Sequence, residues 1–471
     1  MSRPFPNDTI VAPATVPGTG AISIVRVSGP DCFRLADAVI QLKNGSISEC
    51  DGYTIHYGDV SGLDDVLVSV FRAPHSYTGE NSVEISCHAS RYIVEELVRR
   101  LLAAGCRLAG PGEFTRRAFL NGKMDLAQAE AVADLIASTT AASHRVAYNQ
   151  LRGGFSTELA TLRSELVEMT SLLELELDFS EEEVEFADRS RLLALVDKTR
   201  DHVIRLADTF KFGNAIRNGV PVAIVGATNV GKSTLLNALV GEDRALVSDI
   251  AGTTRDTVEE VINLDGIPFR FIDTAGIRET AETVEQMGID RTFRKISEAE
   301  IVIGMLDVTA QDSTIKSHLD LMVSKIDFET QKLVLCLNKM DLGDKKDVNK
   351  NVNMINDFVT SLNKEVIVVK LAAKQGFGLS ELREALSGLE SHLIPNADST
   401  FVTNIRHYES LRQTADSLSA ARLALTSGTP SDLVAEDLRR AISSLNQILG
   451  TDLIDPESVL QNIFRNHCIG K

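Results

Sequence analysis

The sequence predicts a multidomain protein that is α/β plus all-α. It has an N-terminal α/β domain and a helical domain interrupted by an inserted domain of parallel sheet with helices on both faces. Three observations carry this reading. Short β-rich runs fill roughly the first 120 residues, within the usual boundary error. Helix-forming texture takes over near Gly122 and returns near Leu386. Between them, from Val220, strands and helices alternate. At 471 residues the chain also exceeds what one hydrophobic core ordinarily supports.

The elements follow in order. AISIVRV (21–27), YTIHYGDV (53–60), DVLVSVF (65–71) and SVEISCH (82–88) read as strands by their β-branched content. RYIVEELVRRLLAAG (91–105) reads as a helix ended by Gly105. KMDLAQAEAVADLIAST (123–139) is rich in strong helix formers. Leu159, Leu162, Leu166, Met169 and Leu173 then recur at spacings of 3, 4, 3 and 4, which places them on one helix face. A further helix covers 189–212, and FGNAIRNG (212–219) reads as a linker.

VPVAIVG (220–226) opens the inserted domain, with FRFIDTAG (269–276), IVIGMLDV (301–308), KLVLCLNK (332–339) and VIVVKLAA (366–373) as its later strands. Beyond it, Tyr408, Leu411, Ala415, Leu418, Ala421 and Leu425 repeat at helical spacing, as do Leu438, Ile442, Leu445 and Leu449. Each helical half offers an apolar stripe with little of its own to bury it. One helical domain with both chain crossings close together is therefore the economical arrangement, and two separate helical domains the alternative. The expected segments are 1–121, 122–216, 217–386 and 387–471.

The formal net charge is −18 with a pI near 5.0, which excludes a broad phosphate-neutralising face. Any RNA contact must be local or shared with another protein. No apolar run approaches the ~20 residues needed to cross a bilayer. The opening MSRPFPNDTIVAP lacks the charged-then-apolar layout of a secretory signal. The six cysteines lie far apart without a CxxC pair. A cytoplasmic protein without a zinc site, disulfide framework or membrane association is expected.

The chemistry concentrates in GATNVGKST (226–234), which fits GxxxxGK[ST] between a strand and a helix. In that setting backbone N–H groups and the positive helix end cradle phosphates. Asn229, Val230, Gly231, Lys232, Ser233 and Thr234 would line them, with Lys232 reaching the β and γ oxygens and Ser233 on magnesium. Asp273-Thr274-Ala275-Gly276 follows at a strand end, where an acid suits the magnesium shell and Gly276 lets an N–H approach the γ-phosphate. Asn338-Lys339-Met340-Asp341 ends another strand. The Asp341 carboxylate can accept both N1–H and the exocyclic amine of guanine, a donor pair adenine lacks. Leu371-Ala372-Ala373-Lys374 ends a further strand, and its resemblance to the guanine-closing loop of known GTPases implies that it closes over the base. The expected nucleotide is GTP.

These residues resemble the translation-factor-related GTPases, with two departures. Ile277 stands where small signalling GTPases carry a water-orienting glutamine, and no arginine finger is evident in cis. Asn229 together with Ala245-Leu-Val-Ser-Asp-Ile-Ala-Gly-Thr-Thr-Arg-Asp256 is similar to the potassium-activated members. That resemblance implies a potassium ion held by the Asn229 side chain and backbone oxygens of Ser248, Ile250 and Thr253. Neutral oxygens suit a hard cation. It further implies that Asp249, Ala251 and Gly252 belong to the nucleotide loop, that Thr254 completes the magnesium shell, and that Glu285 positions the hydrolytic water through a bridging water. Alternatively, Asn229 braces its own loop, and Glu285 is one acid among Glu279, Glu282 and Glu285.

Over nearly its whole length the chain resembles the tRNA uridine-5-carboxymethylaminomethyl modification GTPase (MnmE, or TrmE) family. The residues that carry this are Asn7-Asp-Thr-Ile-Val-Ala-Pro-Ala-Thr15, Arg26-Val-Ser-Gly29, Ser76-Tyr-Thr-Gly-Glu80, the run Pro111-Gly-Glu-Phe-Thr-Arg-Arg-Ala-Phe-Leu-Asn-Gly-Lys-Met-Asp-Leu-Ala-Gln-Ala-Glu130, and Cys468-Ile-Gly-Lys471. The resemblance implies a folate-binding-like N-terminal domain that forms a homodimer and binds 5-formyl-tetrahydrofolate through Arg26, Glu84, Lys123 and Lys471. Glu80 competes with Glu84 for its place. Cys468 is a candidate nucleophile or a packing residue. The resemblance further implies an FAD-dependent partner (MnmG, or GidA), a heterotetramer, and tRNA as substrate.

Two differences from the family's pattern stand out. Thr228 replaces a common proline, and Ala372 replaces the usual serine of the guanine-closing loop, so weaker nucleotide retention with unchanged specificity is expected. The rival readings are a potassium-activated ribosome-assembly GTPase acting as an RNA-binding switch, and a non-hydrolysing GTP-dependent scaffold. Against the first, no KH-type GxxG clamp or basic tail was recognised.

Overall fold

The computed structural model describes residues 8–178, 189–246, 260–272, 296–390, 400–451 and 470. The chain forms two compact units. One comprises Met1–Ala137, Ala147–Arg205 and Glu409–Lys471, the other Ser138–Val146 and Leu206–Tyr408.

In the first unit, seven strands make one sheet: β1 (Ile10–Pro13), β2 (Ile22–Ser28), β3 (Gln41–Leu42), β4 (Thr54–Val60), β5 (Asp64–Phe71), β6 (Ser82–His88) and β7 (Arg107–Leu108). Their order is β3-β4-β5-β6-β2-β1-β7, antiparallel except for the β1–β7 pair. The longer strands fall where β-branched alternation placed them. β1, β3 and β7 were not foreseen, because two to four residues are too few to display a period of two. One face buries Val25, Val27, Val66, Val68, Val70, Val83 and Ile85. That core also takes in α1 (Cys32–Asp37) and α2 (Arg91–Ala104). Alternation turns Arg26 and Glu84, register partners on β2 and β6, to the opposite face.

Helices α3 (Glu113–Leu120), α4 (Leu126–Ala137), α5 (Ala141–Leu151), α6 (Gly154–Asp178) and α7 (Arg189–Asp208) follow. Next comes α8 (Phe210–Asn218), which corrects the linker reading of FGNAIRNG. Gly213 looks like a breaker but is a packing residue. A Cβ there would strike the Val402 carbonyl, and Ala215 and Ile216 bury into the core of the second unit. Thr209 Oγ1 accepts the Val402 N–H at 3.0 Å, and Arg217 donates to the Thr403 carbonyl at 3.4 Å. The chain entering and the chain leaving the inserted sheet therefore lie side by side.

That sheet contains β8 (Val220–Gly226), β9 (Glu260–Leu264), β10 (Ile267–Phe271), β11 (Ile301–Asp307), β12 (Lys332–Asn338) and β13 (Val366–Lys370), ordered β13-β12-β11-β8-β10-β9. All pairings are parallel except the β9–β10 hairpin, whose two-residue turn, Asp265-Gly266, has φ of 53° and 89°. Val222, Ile224, Ile303, Met305, Val334 and Cys336 face one core, which also holds Leu235, Leu236 and Leu239 of α9 (Lys232–Leu246). Their neighbours Ala223, Val225, Val302, Leu306, Leu333 and Leu335 face another core, with α10 (Asp312–Val323) and α11 (Lys345–Ser361). α12 (Leu379–Leu389) packs on the first of these cores. Period-two alternation with apolar residues on both faces is what a sheet covered on both sides requires.

In the first unit, α6 buries all five residues of its expected stripe, and α14 (Ser431–Leu449), which follows α13 (Ile405–Thr426), packs along it. Arg439 of α14 pairs with Glu174 at 2.9 Å, and Arg422 of α13 with Asp197 of α7 at 2.6 Å. The two helical stretches thus bury one another's apolar faces. No helix among the described residues is long and apolar enough to cross a membrane.

Candidate functional site

At the C-terminal edge of the second unit's sheet, β8 runs into the glycine-framed loop and α9 begins at Lys232. The first N–H groups of a helix have no intrahelical acceptor, so they and the helix dipole favour an anion here. The Lys232 ammonium folds back on its own loop, donating at 2.8 Å to each of the Gly226 and Ala227 carbonyls, which keeps its charge over the loop's mouth. Gly231 has φ +106°, and a Cβ there would collide with Asn338 Nδ2. A glycine is required because the neighbouring motif comes that close.

Asn229 is exposed and left-handed, with φ +59°. Asparagine tolerates this conformation better than most residues, which gives position 229 a local backbone reason of its own. Its amide bonds to no other described residue. Val230 is buried, Ser233 half-buried and Thr234 exposed.

Asn338 is the joint of the site. It is buried at the end of β12, and its Nδ2 donates to the Val230 carbonyl at 2.7 Å while its Oδ1 accepts the Ala373 N–H at 3.0 Å. One side chain thus ties the phosphate loop to the loop after β13. Lys339 follows in a left-handed conformation, φ +67°, with its ammonium 2.6 Å from Asp307. Asp341 is exposed, and its Oδ2 accepts from Gln375 Nε2 at 3.0 Å. The Ala372 N–H donates to the Phe377 carbonyl and the Ala373 N–H to Asn338, so both closing-loop donors have partners in this form. Lys374 is exposed. The structure therefore gathers Val230, Gly231, Asn338 and Ala373 around one joint, with Lys232 beside the loop and Asp341 on the adjoining turn. Ser248, Asp249, Ile250, Ala251, Gly252, Thr253, Thr254, Asp273, Thr274, Ala275, Gly276 and Glu285 lie outside the described residues.

In the first unit, Arg26 and Glu84 face each other across β2 and β6, with Nη2 to Oε1 at 2.8 Å. Arg26 Nη1 also donates to the Gly470 carbonyl at 3.3 Å, which brings the chain's tail to this arginine. Its guanidinium lies 5.3 Å from the Tyr77 ring and 5.5 Å from the Phe114 ring. Lys123 is exposed and donates to the Pro74 carbonyl at 3.1 Å, on the loop that also carries Tyr77. Lys471 and Cys468 lie outside the described residues.

Glu80, the competitor of Glu84, is ion-paired as well. It pairs with Arg117 at 3.2 Å, and Arg117 in turn binds Asp8 at 2.7 Å and Glu113 at 3.1 Å. Arg107 closes this network at 2.5 Å from both Asp8 and Glu113. Burial pushes the Asp8 and Glu113 carboxyls up, but the arginines outweigh it and hold both below the usual carboxylate range. The motif residues Glu113 and Arg117, and the ring partners Tyr77 and Phe114, received no individual role from sequence reasoning. Their signal was their presence in the quoted runs.

Comparison with known proteins identifies the family. A family model described as the GTP-binding protein TrmE N-terminus matches residues 9–123, and one described as the MnmE helical domain matches 126–468. A "tRNA modification GTPase MnmE" from Bacteroides fragilis (strain YCH46) is 48% identical over 99% of this chain and 100% of its own length. The protein of that name from Bacteroides thetaiotaomicron is also 48% identical, over 99% and 100%. The one from Flavobacterium johnsoniae is 46% identical over 99% of each chain. With the motifs, the sheet that carries them and full-length similarity in agreement, the chain belongs to the tRNA modification GTPase MnmE family.

Proposed function

We propose that the chain is a potassium-activated GTPase acting in tRNA wobble uridine modification. With an FAD-dependent partner (MnmG, or GidA) it installs a carboxymethylaminomethyl-type group at carbon 5 of that uridine, drawing on a one-carbon unit of 5-formyl-tetrahydrofolate. The working assembly is a cytoplasmic heterotetramer built on the chain's own homodimer. Its segments are the folate and dimer domain (1–121), a helical domain in two parts (122–216 and 387–471) and the inserted GTPase domain (217–386). The observation that carries the reading is the Asn338 joint, which couples the phosphate loop to the base-reading turn and so makes both ends of one nucleotide a single recognition event.

In this reading the N–H groups of 229–234 and Lys232 hold the phosphates, and Asp341 accepts the guanine donors. Ser233 and Thr254 hold magnesium, with Asp273, Thr274, Ala275 and Gly276 beside it. The donor set fits a potassium ion as far as the described residues reach, because Asn229 presents a neutral, unshared amide at the loop's exposed edge. Ser248, Ile250 and Thr253 would complete that set. A bound monovalent cation supplies positive charge where transition-state charge develops. Glu285 would position the water. At the other site Arg26 and Lys123 would meet the folate's glutamate tail and Glu84 its pterin donors, with Lys471 closing over them. The Arg26–Glu84 pair keeps those charges mutually neutralised until a ligand exchanges into it.

GTP hydrolysis in potassium against sodium tests this proposal. Asn229→Gly, which accepts positive φ freely, should fold and bind GDP like the parent yet lose the potassium effect. Asn229→Ala should lose the effect and also carry backbone strain. A glycine variant that hydrolyses GTP in potassium as fast as the parent removes Asn229 as a cation ligand and leaves its left-handed backbone as its whole purpose.

A further inference from the structure

The base-reading turn is braced from outside its own motif. Asp307 ends β11, and its register partner on β12 is Asn338. Asp307 Oδ2 lies 2.6 Å from Lys339 Nζ, while Oδ1 accepts the Thr309 N–H at 2.9 Å and the Thr309 hydroxyl at 2.6 Å. Both carboxylate oxygens are thus fixed at a rigid strand end. Lys339, at φ +67°, sits where side-chain-bearing residues seldom stay unless their surroundings hold them. The Lys339 carbonyl accepts the Leu342 N–H at 3.0 Å, closing the turn in which Asp341 stands. The Met340 N–H donates to the Leu371 carbonyl, and the Val308 N–H to that of Asn338.

We propose that Asp307 is a positioning residue for base recognition: its grip on the Lys339 ammonium holds Lys339 left-handed and so sets where the turn presents Asp341. This rests on the reading of Asp341 as the guanine acceptor. Asp307 acts through Lys339 and is not itself placed against the base. Burial raises its carboxyl, but the bonds from Lys339 and Thr309 more than reverse this, so the brace is charged at neutral pH. The ion pair is partly shielded, with side-chain exposures of 23% and 29% for Asp307 and Lys339, so salt should weaken it less than a fully exposed pair.

The test is calorimetric titration of GDP and of IDP into the full-length chain. Inosine lacks the exocyclic amine, so the GDP-over-IDP preference reads the aim of Asp341 and cancels stacking and phosphate contacts. A hydrogen bond to a charged group implies a preference of about tenfold or more in the parent. Asp307→Asn is expected to shrink that ratio by roughly three- to tenfold, mostly by weakening GDP. Lys339→Met, which leaves Asp307 bonded to Thr309, should shrink it similarly, and the double variant should lose no more than either single one. An unchanged ratio in either single variant, or additive losses in the double, overturns the proposal. A parent with no preference for GDP overturns instead the reading of Asp341 on which it rests.

Discussion

Replacing Asn338 by alanine is the perturbation the structure prices most directly. The side chain is 4% exposed and makes one bond to the Val230 carbonyl and one from the Ala373 N–H. Each bond contributes a net ~0.5–1.5 kcal/mol, and leaving its buried partner unmatched costs about 1–3 kcal/mol more when no water reaches it. Allowing partial relaxation, the loss for the second unit is roughly 2–4 kcal/mol. For a unit of this size that lowers the unfolding midpoint by roughly 5–12 °C. Thermal unfolding without nucleotide isolates this from any effect on binding. Asn338→Asp should do at least as much damage, because it keeps an acceptor for Ala373 but sets an anionic oxygen against the Val230 carbonyl. A midpoint for Asn338→Ala within about 1 °C of the parent would refute the claim that this side chain joins the two loops.

Two other outcomes follow from the packing. The Asp8 and Glu113 carboxyls titrate below their unfolded values, so the stability they give is fully present above about pH 5 and lost progressively as pH falls through their lower folded values. Chemical denaturation from pH 5 to pH 2 should show the parent losing stability more steeply than Glu113→Gln; equal slopes would mean that the arginine network does not depress these groups. Gly213→Ala should destabilise the second unit by about 1–3 kcal/mol although alanine is the better helix former, because its Cβ meets the Val402 carbonyl. A stabilised variant would show that α8 and the returning chain do not approach so closely.

The long elements were legible in the sequence because burial imposes its period on enough residues to be read. The α6 stripe is an example, and so is IVIGMLDV, whose alternate residues serve two cores at once. Short elements lack that length. β9 escaped notice although Asp265-Gly266 is a hairpin turn signal, since the flanking runs are only five residues each. α8 was hidden because Gly213 reads as a breaker when only its neighbours in sequence are considered; its reason is the Val402 carbonyl, distant along the chain. At the candidate nucleotide site the motifs pointed to residues but not to their couplings. Asn338 reaching Val230, Asp307 gripping Lys339 and Gln375 holding Asp341 are contacts across strands that spacing cannot encode. For position 229 the sequence offered a cation ligand or a loop brace, and the backbone, at φ +59°, adds a further demand that asparagine also meets.

The central claim is that this nucleotide-binding chain also carries a one-carbon site, and a calorimetric titration of 5-formyl-tetrahydrofolate tests it most directly. The parent should be compared with a chain lacking Cys468–Lys471, which removes the Gly470 carbonyl bonded to Arg26. The account predicts saturable binding by the parent and a loss of about tenfold or more on truncation, the scale of one charge-assisted contact. Absence of binding by the parent, or equal affinity in both forms, would contradict it.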